Sequence, residues 1–221
     1  MTPTAIDPSS NKRGMLKKLG WSVMIVLALL MFLLALRYLI FDPEQVYFEP
    51  QKAVYFAHTT RILTHIVGAM VATIIGPFQF LPQIITNRYL KLHRWLGRTY
   101  LMGVLVGGLA GLYMAFLAYG GLPARLGFGL LAILWLLSGL VAYRHIRNKE
   151  IQSHRQWMVR NYALTFAAVT LRLWLIVFQV VGVEFLEAYI TVAWLCWVPN
   201  LIMAEGIVNR IRPRRPSVAT A

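Results

Sequence analysis

Apolar residues in this chain do not alternate with polar ones at strand or surface-helix period. They come in long runs separated by short polar or Gly/Pro-rich breaks. A bilayer core about 30 Å thick takes about 20 helical residues to cross. Six runs meet that length, at 19–41, 58–81, 96–119, 122–143, 159–182 and 186–208. The breaks carry turn and charge signals: Asp42-Pro43, 82–87, Gly120-Gly121-Leu122-Pro123, 144–155 and Val183-Glu184. None is long enough to hold a soluble domain. The pattern predicts an all-α membrane protein, a bundle of six transmembrane helices. The first run exceeds the roughly 7–15 residues of a secretory leader's apolar region. No small-residue cleavage site follows it, so it is expected to stay as an anchor.

Composition agrees. Hydrophobic residues make up 58% of the chain and charged residues only 14%, which excludes a soluble domain with one core. A net charge of +14 would point to nucleic acid in a soluble protein. Here the cations sort by connection, and no nucleic-acid partner is expected. One set holds Lys12, Arg13, Lys17 and Lys18, then Arg88, Lys91, Arg94 and Arg98, then Arg144, Arg147, Lys149, Arg155 and Arg160, then Arg210, Arg212, Arg214 and Arg215. The alternate set holds Asp42, Glu44, Glu49, Glu184 and Glu187, with only Lys52 and Arg125 against them. The positive-inside rule then makes both termini cytoplasmic. The lone Cys196 lies in the last run, so no disulfide is expected.

Two junctions resemble each other. HRWLGRTY begins at His93 and HRQWMVRNY at His154, 61 positions later, each at the start of an apolar run. This reads as a weak parallel repeat of helical hairpins, spans two plus three and spans four plus five. A structural reading makes the arginines lipid-phosphate anchors and Trp95, Trp157, Tyr100 and Tyr162 an interfacial aromatic belt. It leaves the histidines unexplained.

Small residues predict which helices meet. His58, Arg61 and His65 share a helical face that continues through Gly68, Ala69, Ala72 and Gly76 to Gln79. Gly103, Gly107 and Gly111 form a double GxxxG series on the third span, its natural neighbour. Pro77 should free the Thr73 carbonyl, and Pro199 the Leu195 carbonyl.

Arg172 is the least expected residue. It stands within the fifth run in AAVTLRLWLIVF, where a charge costs at least about 2.5–3.5 kcal/mol and normally faces a partner or a watery cavity. Thr165, Arg172 and Gln179 recur every seven residues, predicting an inward polar stripe. No Asp or Glu falls near that depth, and Glu205 is the nearest acid in a span. Helix rise puts His65 roughly 10 Å and Arg172 roughly 12 Å below the same membrane face, so the two are expected to line one cavity.

His65, GPFQF at 76–80, HRWLGR at 93–98 and HRQWMVRNYALTFAAVTLRL at 154–173 together resemble the bacterial membrane-protein family called domain of unknown function 2306. The resemblance spans about 55–208 and implies a shared five-helix membrane domain in a bacterial inner membrane. The rest divides into a basic tail at 1–18, the anchor at 19–41 and a basic tail at 209–221. It also marks His65, His93, His154, Arg160 and Arg172 as family-type positions, and it implies no activity.

Three functions fit these residues. A redox protein would hold a b-type haem through His93 and His154, with His145 nearby and Arg94, Arg98, Arg155 or Arg160 on the propionates, or would bind a quinone. This reading leads on the sequence alone. A transporter or lipid-handling protein would bind an anionic lipid or small anion at Arg172, His65, Arg61 and Gln179. A structural or assembly subunit would use the histidine motifs as anchors only. No protease, P-loop, nucleophile-elbow or CxxC signature is present. The topology is tested by reporter fusions to the C-terminus: cytoplasmic signal is expected, and a periplasmic signal would refute it.

Overall fold

The computed structural model describes residues 8–85 and 87–211. The tail cations Arg212, Arg214 and Arg215, and the side chains of Lys12, Arg13 and Lys17, lie outside the described residues. Among the described residues every regular element is helical, and six stretches are long and apolar enough to cross a bilayer.

Helix α1 (Pro8–Ile40) leads into a strap made of α2 (Pro43–Val46), a 3-10 turn (Glu49–Gln51) and α3 (Lys52–Ala57). Then follow α4 (Thr59–Gln79), the short α5 (Pro82–Ile85), α6 (Leu90–Ala115) and α7 (Gly121–Arg147). Two interrupted spans complete the bundle: α8 (Ile151–Thr165) with α9 (Ala167–Val181), and α10 (Phe185–Leu195) with α11 (Val198–Ile211). One end of the bundle gathers Arg88, Arg94, Arg144 and Arg155 and the other gathers Glu44, Glu49, Glu184 and Glu187, here called the basic and acidic ends. Leu33, Leu109, Val180 and Ile202 stand exposed on the outer surface. Helices satisfy their own backbone groups, so such surfaces are stable against lipid.

Helices begin earlier or end later than the apolar runs wherever polar residues extend them beyond the hydrocarbon. Hydropathy marks the slice in lipid, whereas a helix continues until its backbone is capped. Pro199 ends α10 as expected, and the carbonyl of Cys196 accepts from Asn200 Nδ2 at 2.9 Å and from the Thr170 hydroxyl. The break at Phe166 follows no proline. It coincides with Asn200 Nδ2 donating to the Ala163 carbonyl at 3.1 Å, so one side chain serves both interruptions. At Pro77 the Thr73 carbonyl receives the Tyr162 hydroxyl at 3.4 Å.

The closest pair of helices is α4 with α6. A Cβ on Gly68 would lie 2.6 Å from the Gly107 backbone and 2.8 Å from the Gly103 carbonyl oxygen, so the two backbones touch without side chains between them. The core beside this seam is Ala72, Tyr100, Val104, Trp135, Tyr162 and Val192. Tyr100 is 0% exposed and Tyr162 is 5%, so neither belongs to an interfacial belt; of the four aromatic residues in the repeated motifs, Trp95 stands exposed. Each tyrosine is a full helical turn or more beyond its histidine, which carries it below the interface and into the packed interior.

Overpacking a tight core costs about 1–3 kcal/mol. Gly68→Val is therefore expected to lower the thermal midpoint in detergent by several degrees. Gly129→Ala, where an added Cβ meets nothing within 4 Å, is expected to leave it unchanged or raised.

Candidate functional site

A cavity of about 600 Å³ lies between α1, α4, α6, α7, α9 and α10 in the half of the bundle nearer the acidic end. That is within the roughly 300–1,000 Å³ of small-molecule sites. Met31, Ala35, Ile62, Met70 and Phe128 make apolar walls, while Trp135 and Thr165 line its inner end. Both His65 and Arg172 line it, as depth along the two helices predicts.

The glycine seam positions His65. Its Nδ1 is 2.8 Å from the Gly107 carbonyl oxygen. A carbonyl only accepts, so Nδ1 carries the proton and Nε2 is the free ring nitrogen. A Cβ on Gly111 would lie 2.6 Å from that Nδ1, so the GxxxG series makes room for an imidazole as well as for a helix.

Arg172 makes one hydrogen bond, Nη1 to the Ala168 carbonyl of its own helix at 2.8 Å. Arg37, near the end of α1, also lines the cavity and is exposed, whereas Arg172 is part-buried. Arg37 sits over the Tyr38 ring at 5.1 Å. The strap's acids are engaged elsewhere: Glu49 and Glu44 both bind Lys52, at 2.9 and 3.0 Å, and hold its ammonium pKa above the ordinary value.

The strap closes the acidic end. Asp42 Oδ1 accepts from the Glu44 N–H at 2.9 Å and starts α2. Gln51 Nε2 donates to the Leu117 carbonyl at 2.7 Å, tying the strap to the turn after α6. Phe48 packs on Phe185 and Tyr189 at 4.8 and 5.7 Å, while Tyr47 packs on Tyr55 and Phe56 at 5.4 and 5.2 Å. Burial pushes the Tyr55 phenol up to about 12, so it stays protonated, and its hydroxyl donates to Gln51 Oε1 at 3.2 Å. The Tyr47 hydroxyl is buried and has no hydrogen-bond partner among the described residues.

Below the cavity lies a polar network. The Tyr100 hydroxyl donates to Asn161 Oδ1 at 2.6 Å and lies 2.8 Å from Thr165 Oγ1, which also receives Trp135 Nε1 at 2.8 Å. Asn161 Nδ2 donates to the Trp135 carbonyl and to Ser138 Oγ, both at 2.8 Å. Tyr100 and Asn161 are 61 residues apart, the spacing of the two histidine motifs, so the motifs meet in the core.

Several residues singled out from the sequence lie elsewhere. Gln179 is exposed and outside the cavity lining: it stands two turns beyond Arg172 on α9, two residues from the end of that helix. His58 is a non-helical cap before α4, its ring 5.6 Å from Tyr113, and the exposed Arg61 stacks on that same ring at 4.4 Å. His93 and His154 do approach each other at the basic end. His154 Nδ1 is 2.9 Å from the Ala142 carbonyl oxygen, and His93 Nδ1 is buried without a partner. His145 binds Glu150. Arg160 is held bidentately by Glu205 and stacks on Trp157 at 4.8 Å, while Arg94, Arg98 and Arg155 are exposed.

The sequence profile of a family described as predicted membrane proteins, DUF2306, matches residues 62–208, two thirds of the chain. The chain belongs to this family. No functionally curated protein and no solved structure shows significant similarity to it. In this DUF2306 protein the matched region contributes His65, Arg172, Trp135 and Thr165 to the cavity, whereas Arg37 and the strap precede it. Reasoning from the sequence missed Arg37, Tyr47, Tyr55 and the Asn161 network. A faint signal existed only for Asn161, which stands 61 positions from Tyr100.

Tyr100→Phe leaves Asn161 Oδ1 buried without its donor, which costs about 1–3 kcal/mol. Its thermal midpoint in detergent is expected to fall by several degrees. Tyr113→Phe, whose hydroxyl makes only a 3.4 Å contact with His58, is expected to stay close to wild type.

Proposed function

We propose that this DUF2306 protein binds an amphiphile with an acidic or strongly accepting head group in the cavity at the acidic end. The observation that supports this is the state of Arg172: a guanidinium deep in a span, spending one N–H on its own helix and meeting no carboxylate among the described residues. A charge so placed needs a counter-charge or water. A carboxylate, a phosphate or a quinone carbonyl from the membrane would supply it, while the apolar walls take the alkyl part. By the alternation of its cations the basic end would be cytoplasmic, and the family resemblance suggests a bacterial inner membrane.

The haem reading has weaker support. Its two histidines are neighbours, but Arg160, one intended propionate partner, is committed to Glu205. Arg94, Arg98 and Arg155 are exposed, and neither His93 nor His154 lines the cavity described above. A purely structural role leaves the cost of Arg172 unexplained.

Arg172→Leu is expected to lose co-purifying amphiphile while keeping its thermal midpoint within a few degrees. Removing an unpaired buried cation leaves a tolerable apolar side chain. Arg172→Lys should recover only part of the ligand, because an ammonium lacks the planar fork. Lipid extraction with mass spectrometry and thermal unfolding in detergent read both quantities. If Arg172→Leu unfolds while Arg172→Lys retains both stability and ligand, the arginine is a strut and the reading fails. A Soret band abolished by His93→Ala or His154→Ala would replace it with the redox reading.

A further inference from the structure

The cavity presents more positive charge and more hydrogen-bond donors than a single carboxylate can satisfy. Arg37 and Arg172 both line it, and neither has an acidic partner among the described residues. Tyr47, 4% exposed, also lines the cavity, and its buried hydroxyl has no hydrogen-bond partner among the described residues. Glu44 and Glu49, the acids nearest in sequence, are occupied by Lys52. A monoanion paired with Arg172 would leave Arg37, exposed near the end of α1, to water, whereas a dianion engages both.

We propose, building on the amphiphile reading above, that the head group is a phosphomonoester held between Arg37 and Arg172. Such a group carries about −1.5 to −2 charges near pH 7 and three strong acceptor oxygens. Two guanidinium forks and one phenol match that set in both charge and donor number. Depth agrees with an amphiphile entering head-outward. Arg37 is three residues from the end of α1, roughly 5 Å, and Arg172 nine from the end of α9, roughly 14 Å. The two long arginine side chains bridge that step by converging on the phosphoryl group, and the tail runs past Ile62 and Met70 toward Trp135 at the inner end. Tyr47 belongs to the strap, so its hydroxyl would bond the phosphoryl group and hold the strap down on the occupied site.

The test is calorimetric titration of the full chain in phosphatidylcholine nanodiscs at pH 7.5 with dodecyl phosphate, laurate and inorganic phosphate as probes. Wild type is expected to bind dodecyl phosphate at least tenfold more tightly than laurate. In Arg37→Gln the ratio of the two affinities should fall below about threefold, and in Tyr47→Phe it should fall by a smaller factor. Lowering the pH to 5.5 should shrink the wild-type ratio as the phosphoryl group becomes a monoanion. Laurate binding as tightly as dodecyl phosphate, with both lost in Arg172→Leu, would overturn the phosphoryl assignment and leave the amphiphile reading standing. Affinities for both probes unchanged by Arg172→Leu would overturn the amphiphile reading itself. Inorganic phosphate binding as tightly as dodecyl phosphate would remove the tail from the proposal and make the site one for a free anion.

Discussion

The backbone contact of Gly68 with Gly103 and Gly107 is the constraint on which the rest of the structure depends. With no side chain between them, α4 and α6 approach until a Cβ at Gly68 would overlap the Gly107 backbone. That closeness brings the Gly107 carbonyl within hydrogen-bond reach of His65 and lets Gly111 hold open the slot its imidazole fills. In lipid, where apolar surface gains nothing by turning inward, such close packing and hydrogen bonding carry helix association. The cavity exists because this seam is tight. Holding α4 against α6 leaves the space on the other side of α4 to be spanned by α1 and α9, which bring two arginines rather than filling side chains.

Much of this architecture was legible in the sequence, for physical reasons that can be named. Each apolar run encodes its own span, since a helix in lipid satisfies itself and must be about bilayer length. The convergence of His65 and Arg172 followed from counting rise along two helices toward the same membrane face. Counting failed where the helix did. Gln179 stands two residues from the end of α9 and His58 just before the start of α4, so periodicity carried each past the stretch of helix that faces the cavity. Tyr100 and Tyr162 were misread because aromatic residues near a membrane boundary serve either as a belt or as core, and only their neighbours decide. The strap was invisible as a closure: its residues read as a polar loop, and the pairing of Phe48 with Phe185 and Tyr189 joins segments more than a hundred residues apart.

The distribution of polar groups divides the interior into two regimes. Beneath the cavity, Tyr100, Asn161, Thr165, Trp135 and Ser138 satisfy one another in a closed set, which makes a rigid floor. Above it, donors outnumber acceptors. A membrane bundle tolerates the first arrangement indefinitely. The second leaves cations for water or a ligand to compensate, and that asymmetry is what the proposed function rests on.

The side chain of Asn200 has a mechanical consequence. It bonds the Ala163 carbonyl, the Thr170 hydroxyl and the Cys196 carbonyl, at 3.1, 3.1 and 2.9 Å, and so pins the discontinuities of two adjacent spans at one level. Each span is thereby cut into segments of matching height, α9 beside α10 and α8 beside α11. A bend at either discontinuity is therefore resisted at the other through a single amide. Arg172 on α9 and Tyr189 on α10, both lining the cavity, stand on segments tied together at their inner ends, like two marks on one arm of a caliper.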